Sequence, residues 1–584
     1  MPTITLDHSI LKYIQEINLV KHEPVLWNNW LTEIGCPVEI NNDEYIDIEV
    51  FPDRPDLLSH ETLAKASRSF LEYKIEDVSM NIKKGENTVD VDKSLGEVRP
   101  IIMSAIVRGV KTGKNTVDKE KFIQSLMDHQ EKLHLTLGRK RKLSSIGVHD
   151  LAKIKPPFRV KTVKSSFKFV PLSEKSEMTI AEILNKHPKG IEYSHLMKNV
   201  DSFPIILDSE DNVISFPPII NGEQTTVTTE TRDFFIDVTG WDERACEACL
   251  LLICLALGER GGVIENLEIV FSDKNNIITP NGEPINYRVP EKLIQKILGI
   301  ELDNSQIKNS ITKMGGKLIE SRTVTNGPNR AERWSDCVIG EIEHVVSMPR
   351  WRSDIMHPID IVEDIAIGFG YEKLPEQMSS IHLDSVPLKS SQMNRRIRAS
   401  LRALGLQEVQ SLTLSNVRDQ FERTRWKTKG RVTNIANPIS QEHTILRQYI
   451  LPSLLQILSA NRHQELPQRI YELGHVVNNS KNNYAFSWLC AEVGGGFTAA
   501  RGYVQSIMRD LGIPIGEVLF EPIEEENGPW ILGRGAKIIV QGVEIGQFGE
   551  IDPIVSEKYG LKTPIHGGEF DIKEMNKIAS DPLI

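Results

Sequence analysis

A chain of 584 residues is too long for one hydrophobic core, and at about 150 residues per domain it holds about four. Its 69 Lys and Arg against 80 Asp and Glu leave a formal charge of −11, which excludes a chain that grips nucleic acid over its whole surface. The longest apolar run, ACLLLICLALG from Ala248 to Gly258, is about half of the roughly 20 residues that cross a bilayer, and Met1 begins no signal peptide, so a soluble cytoplasmic protein without membrane association is expected.

Along the chain, Leu11, Ile14, Ile17 and Leu19 form an amphipathic pattern, and FPDRPDLLS leads through Ser59 into helix-spaced Leu63, Ala66 and Phe70. This is a small helix-containing N-terminal domain, residues 1–95, whose charged, glycine-containing end, Ile82 to Pro100, reads as a linker. Strand-like Ile101 to Val110 follows, then a helical pattern from about Lys119 to Leu137. Short turn-bounded runs, FPIIL, VISFPPII and DFFIDVTG, complete a mixed-sheet domain over 101–270. The helix around Cys246 to Leu257 carries three of the six cysteines. With no second pair of ligands nearby for zinc, Cys246, Cys249 and Cys254 read as buried thiols.

EKLIQKILG and SQIKNSITKMGG, each stopping at glycine, open a small α/β domain over 275–378. From 390 to 584, the helices NRRIRASLRALGL and LPSLLQILSANRH and several strands imply a final α+β domain. The fold class expected is multidomain α+β. Between these elements GRKRKL, Gly138 to Leu143, is either a solvated basic turn or a local nucleic-acid patch.

The stretch RSDIMHPIDIVEDIAIGFGY crowds Asp354, Asp360, Glu363 and Asp364 into eleven residues. Ile361, Ile365 and Phe369 share one helix face, while Asp360, Glu363 and Asp364, at i, i+3 and i+4, gather on another. Asp354, before the bend at His357-Pro358, would fold back toward them. Magnesium takes such hard oxygen ligands. Asp360-x-x-Glu363 equally resembles a capping box at a helix start, and Arg350 and Arg352 would offset excess charge. Spacing alone leaves both readings open.

Seven stretches in order carry a family resemblance: FPDRPDLLS, GRKRKLSSIGVHDL, HPKGIEYSHL, SFPPIINGEQTTVTTETRDFFIDVTGWD, RSDIMHPIDIVEDIAIGFGY, NPISQEHTILRQYILPSLL and GEIDPIVSEKYG. The chain resembles the beta subunit of phenylalanyl-tRNA synthetase of the archaeal and eukaryotic cytosolic type. The resemblance implies a heterotetramer of two alpha and two beta chains that attaches phenylalanine to its tRNA, with ATP used at the alpha-subunit site. It implies that 101–270 is an editing domain and that 390–584 is a class II synthetase-like antiparallel-sheet domain lacking catalytic motifs. Around Arg469-Ile470-Tyr471-Glu472 and Gly494 to Gly502 the phosphate-binding arginine pattern of such sites is not kept. It also implies Mg²⁺ at Asp354, Asp360, Glu363 and Asp364.

Editing is expected because an apolar pocket rejects an added hydroxyl only about a hundredfold, too little to tell tyrosine from phenylalanine. The resemblance points to PPIINGEQ and FFIDVTG. Asp237, a carboxylate in an apolar strand pattern, is the first candidate to read the tyrosine hydroxyl, with Thr239 on the same side. Asn221 and Gly222 read as a turn bringing backbone amides to substrate, and His195 as a group orienting water or the ester. The blander roles are a turn cap, a hairpin turn and a surface histidine. Two other functions stand against this one: an assembly and tRNA-docking subunit with a degenerate editing site, and a free-standing ligase.

Overall fold

In the computed structural model, which describes residues 3–198, 200–325, 337–376, 386–524 and 528–578, Ser59 accepts a hydrogen bond from Thr62 N and starts the helix His60–Phe70. That helix, with His8–Ile17 and Pro24–Glu33, covers a three-stranded antiparallel sheet of Thr3–Asp7, Tyr45–Glu49 and Val38–Asn41. The first helix is shorter than its apolar pattern. Asn18 caps it, and Leu19 lies beyond it, exposed at φ +60°. The chain divides into two compact units, Met1–Gln377 and Met378–Ile584.

His60 and His129 sit inside the first unit. His60 Nε2 accepts from Asp7 N at 2.9 Å, and neither nitrogen of His129 has a hydrogen-bond partner among the described residues. Burial pulls both imidazoles down to about 4. Between the ordinary 6.5 and about 4 the unfolded chain therefore takes up protons that the folded chain refuses. Stability is complete above that window and falls as pH is lowered through it, at up to about 1.4 kcal/mol per pH unit for each histidine. Melting curves from pH 7 to 4.5 check this, and His129→Leu is expected to flatten the decline.

The segment expected to be a linker belongs to the sheet. Ile82–Lys83 and Thr88–Val91 pair in parallel with Val263–Phe271, and Val89 and Val91 are buried. The reason is the alternation in TVDV, whose partner strand lies about 180 residues away. The mixed eleven-stranded sheet runs Ile220–Asn221, Val213–Phe216, Phe203–Leu207, Phe158–Val163, Thr88–Val91, Val263–Phe271, Ile101–Arg108, Phe234–Gly240, Ser144–Asp150, with Ile82–Lys83 and Ile277–Thr279 also on Val263–Phe271. Phe234–Gly240 is antiparallel to both neighbours, with Asp237 opposite Ser104 and Gly147. On one face Phe234, Ile236 and Val238 pack in the core that holds Cys246, Cys249 and Cys254 of the helix Glu243–Glu259. Period-two alternation puts Asp237 and Thr239 on the other face. All three thiols are buried, and burial pushes Cys246 up to about 11 and Cys249 to about 12.

The next module is α+β rather than α/β. Its central strand Ile342–Met348 is antiparallel to both neighbours, Ile285–Pro290 and Lys317–Thr323. The helices Glu291–Leu298, Asn304–Lys313 and Pro358–Phe369 belong to it. Gly299, at φ +71°, ends the first of them in the left-handed conformation that glycine adopts freely.

In the second unit, a seven-stranded sheet runs Gln407–Glu408, Gln468–Asn478, Lys481–Ala491, Ile565–Asp571, Val543–Ile551, Trp530–Val540, Val518–Pro522, antiparallel after its first, parallel pair. Lys389–Ala403 and Phe497–Asp510 share one core with it, and Leu451–Ala460 lies in another. Arg469 is paired with Glu492 at 2.8 Å and Arg447 with Glu472 at 2.7 Å. No helix among the described residues is long and apolar enough to cross a membrane.

Candidate functional site

The open face of Phe234–Gly240 forms part of a cavity of about 250 Å³. Asp237 lies on its wall and is 1% exposed, which a lone carboxylate could not sustain. Its partner is His149, fully buried two residues along the neighbouring strand: Nε2 lies 2.7 Å from Asp237 Oδ2, and Nδ1 lies 2.8 Å from Thr225 Oγ1. The ring thus bridges the carboxylate and Thr225, whose hydroxyl also lies 3.1 Å from Gly222 O. Ser215 Oγ stands 3.5 Å from the same Oδ2, and no described residue donates to Oδ1. Gly147 makes room for the pair. A Cβ there would lie 2.1 Å from Asp237 Oδ2 and 2.6 Å from His149 Nε2.

The other candidates are placed differently from expectation. Thr239 shares the face of Asp237 but is not on the cavity wall. Its Oγ1 accepts from Arg99 Nε at 2.8 Å and meets Ser145 Oγ at 3.1 Å. Arg99 also donates to Thr239 O and Arg141 O, and burial draws its guanidinium down to about 10. Thr239 therefore touches the cavity only through its contact with Ser145, a wall residue. Asn221 lines the cavity, whereas Gly222 does not. The pair is no hairpin turn: the chain reverses at 217–219, where two prolines leave the ladder, and Ile220–Asn221 is already strand. Gly222 is extended, and a Cβ on it would stand 2.3 Å from Val213 O. His195 is exposed, bonded through Nδ1 to Glu192 O in its own turn, and away from the wall. The wall histidine is His187, whose Nδ1 accepts from Lys189 N and caps the helix Pro188–Tyr193.

Reading the sequence missed His149 and His187. A signal for His149 existed: in SSIGVHD the small or polar residues Ser145, Gly147 and His149 alternate with apolar ones, marking a polar face on a strand. His187 carried no such pattern.

The turn after the helix Thr116–Leu135 closes one side of the cavity. Arg139, Lys140 and Arg141 have φ of +45°, +56° and +64°, a left-handed path costing roughly 1–2 kcal/mol per residue. Arg141 locks it, donating through Nη1 to Ile219 O at 3.0 Å and through Nη2 to Glu131 Oε1 at 2.6 Å, over the ring of Tyr193. Against the upward push of burial, the His134 hydrogen bond and Arg141 hold the Glu131 carboxyl down at about 2.

Two of the four clustered acids share an arginine. Arg352 Nη2 reaches Asp354 Oδ2 at 2.7 Å and Asp364 Oδ1 at 3.0 Å, so a guanidinium stands where a shared cation was expected. Asp360 Oδ2 accepts from Met356 N and His357 N, closing a capping box whose N-cap is His357, one turn earlier than Asp360-x-x-Glu363 suggested because Pro358 takes the first helical position. Glu363 points outward, and burial together with the charges of Asp53, Asp364, Asp360 and Asp354 raises its carboxyl. Among the described residues no group of three or more His, Cys, Asp or Glu is arranged to hold a metal ion. Mg²⁺ here would compete with Arg352 for Asp354 and Asp364, while Glu363 bonds no cation among the described residues.

Family models match three parts of the chain: a B3/4 domain over residues 99–248, a tRNA synthetase B5 domain over 287–371, and a phenylalanyl tRNA synthetase beta chain CLM domain over 374–572. The cavity and all its wall residues fall within the first. Fold and matches together define a subunit of an aminoacyl-tRNA synthetase. The phenylalanine–tRNA ligase beta subunit of Archaeoglobus fulgidus is 39% identical over 547 residues, 93% of this chain and 94% of that one. That of Methanosarcina barkeri is 37% identical over 580 residues, 98% and 99% of the two chains. The crystal structure of an N-terminal fragment of the phenylalanyl-tRNA synthetase beta subunit from Pyrococcus horikoshii matches with a TM-score of 0.55 at 34% identity, covering 63% of this chain and 99% of the fragment. The chain belongs to the phenylalanine–tRNA ligase beta-subunit family.

Proposed function

We propose that this chain joins an alpha partner, two of each, to attach phenylalanine to its tRNA, and that its own chemistry is hydrolysis of tyrosyl-tRNA in the 250 Å³ cavity. ATP is consumed at the alpha-subunit site. The observation carrying the hydrolytic reading is the buried Asp237 on the cavity wall: His149 meets Oδ2, while Oδ1 has no donor among the described residues.

That acceptor takes the phenol proton of a tyrosyl group. A phenylalanyl group would leave it buried and unpaired, and a site built to bond a hydroxyl disfavours such an analogue by about 10⁴-fold. With the ester held, a water oxygen adds to the acyl carbon and the bond to the ribose oxygen breaks. That oxygen takes up a proton, releasing tyrosine and free tRNA. An activated ester needs mainly position for this, which rigid strands supply.

The test is clearance of tyrosyl-tRNA by the alpha–beta complex. Asp237→Ala is expected to reduce the preference for tyrosyl over phenylalanyl ester by about a hundredfold or more. Equal clearance by variant and wild type would remove Asp237 from the role. No clearance by wild type would leave an assembly and tRNA-docking subunit.

A further inference from the structure

The turn Gly138–Leu143 carries four cations, and the fold employs one. Arg141 is 8% exposed and bonded to Ile219 O and Glu131. Arg139, Lys140 and Lys142 are exposed, and none of their side chains has a carboxylate or hydrogen-bond partner among the described residues. The other surface cations of this domain divide: Lys153, Lys155, Arg159, Lys186 and Lys189 each meet an acid, whereas Lys161, Lys168 and Lys175 meet none among the described residues, but these are scattered singly and not gathered on one turn.

The backbone supplies a second, independent observation. Arg139, Lys140 and Arg141 hold positive φ in succession, where glycine or asparagine would relieve the strain. The strain is held in place from outside: Lys140 N donates to His134 O at 2.7 Å, Arg99 donates to Arg141 O, and Leu143 N closes the turn on Gly138 O. A strained, over-determined turn thus presents three free cations beside a residue that walls the cavity. The turn offers no exposed apolar side chain to anchor a protein partner or a lipid surface. The chain as a whole, at −11, repels a polyanion, so three unpaired cations on one turn form a local exception to which a polyanion is complementary.

We propose that Arg139, Lys140 and Lys142 dock the phosphodiester backbone of a single-stranded RNA 3′ end whose terminal aminoacyl ester enters the cavity. The inference rests on the hydrolytic reading for what the RNA carries. Arg141 is the positioning residue that joins surface to site.

The experiment measures hydrolysis of tyrosyl-tRNA by the whole complex against salt, alongside direct titration of a fluorescent four-nucleotide RNA ending in CCA. The variant is Arg139→Gln/Lys140→Gln/Lys142→Gln, with Arg139→Lys/Lys140→Arg/Lys142→Arg preserving charge. Three phosphate contacts on a single strand predict a slope of log affinity against log salt shallower by about 2 in the glutamine variant. KM is expected to rise about tenfold or more with kcat little changed, and the charge-preserving variant is expected to behave as wild type. Unchanged RNA affinity and salt slope in the glutamine variant would overturn the proposal and make this a solvated turn. A slope equally lost in the charge-preserving variant would also overturn it, since turn shape would then be responsible. RNA titration reads the surface even if the complex clears no tyrosyl-tRNA, so failure here and failure of the hydrolytic reading are told apart.

Discussion

Gly147→Ala is expected to slow clearance of tyrosyl-tRNA by the complex about a hundredfold or more, the effect of displacing a reacting group by about 1 Å. The added methyl has nowhere to go: its ideal position lies 2.1 Å from Asp237 Oδ2 and 2.6 Å from His149 Nε2, and both groups are buried on rigid strands. Either the carboxylate rotates and loses the 2.7 Å bond, or the strand Ser144–Asp150 shifts and carries His149 away. Both outcomes move Oδ1. Overpacking of this kind also costs about 1–3 kcal/mol of stability, so activity is compared at a temperature where both proteins are folded by circular dichroism. Gly96→Ala is the control, because a Cβ there meets nothing within 4 Å. A Gly147→Ala protein that is folded and fully active would mean that the His149–Asp237 contact does not position the carboxylate.

Asp237 illustrates what local pattern can and cannot reveal. A carboxylate within FFIDVTG signals a site because burial makes it costly, a property of one residue and its neighbours. Its partner is 88 residues away, on a strand whose pairing only the folded sheet defines. The same limit hid Thr88–Val91 in a charged stretch, since its place in the sheet depends on Val263–Phe271. Helix starts and stops were legible at Ser59 and Gly299 because capping is local chemistry. Asn221-Gly222 misled for the converse reason. A dipeptide common in hairpins lies here just past a turn that two prolines had already made, and its glycine answers to packing against Val213 O. At the four acids, helical spacing shows which carboxylates share a helix, not that Arg352 bonds two of them.

That arginine carries the second large expectation. Arg352→Ala should destabilise the protein by about 3–5 kcal/mol, the usual cost of removing one partner from a buried ion pair, because it leaves Asp354 and Asp364 facing each other without their shared guanidinium. Asp364 is fully inside, and burial already raises its carboxyl despite Arg352 and Arg54. Without Arg352 it rises further, above its unfolded value, so the folded variant binds the extra proton. The deficit therefore shrinks as pH is lowered through the carboxylate range and is largest at neutral pH. Denaturant titration at pH 5 and pH 7.5 reads the difference. Asp364→Asn in the same chain should recover part of the loss, and Arg352→Lys should recover little, since an ammonium lacks the planar fork that bonds two carboxylates at once. Millimolar magnesium is expected to leave the wild-type melting temperature unchanged, because Arg352 already bonds Asp354 and Asp364. An anomalous peak between Asp354 and Asp364 in a manganese-soaked crystal would show that the guanidinium yields this place to a metal.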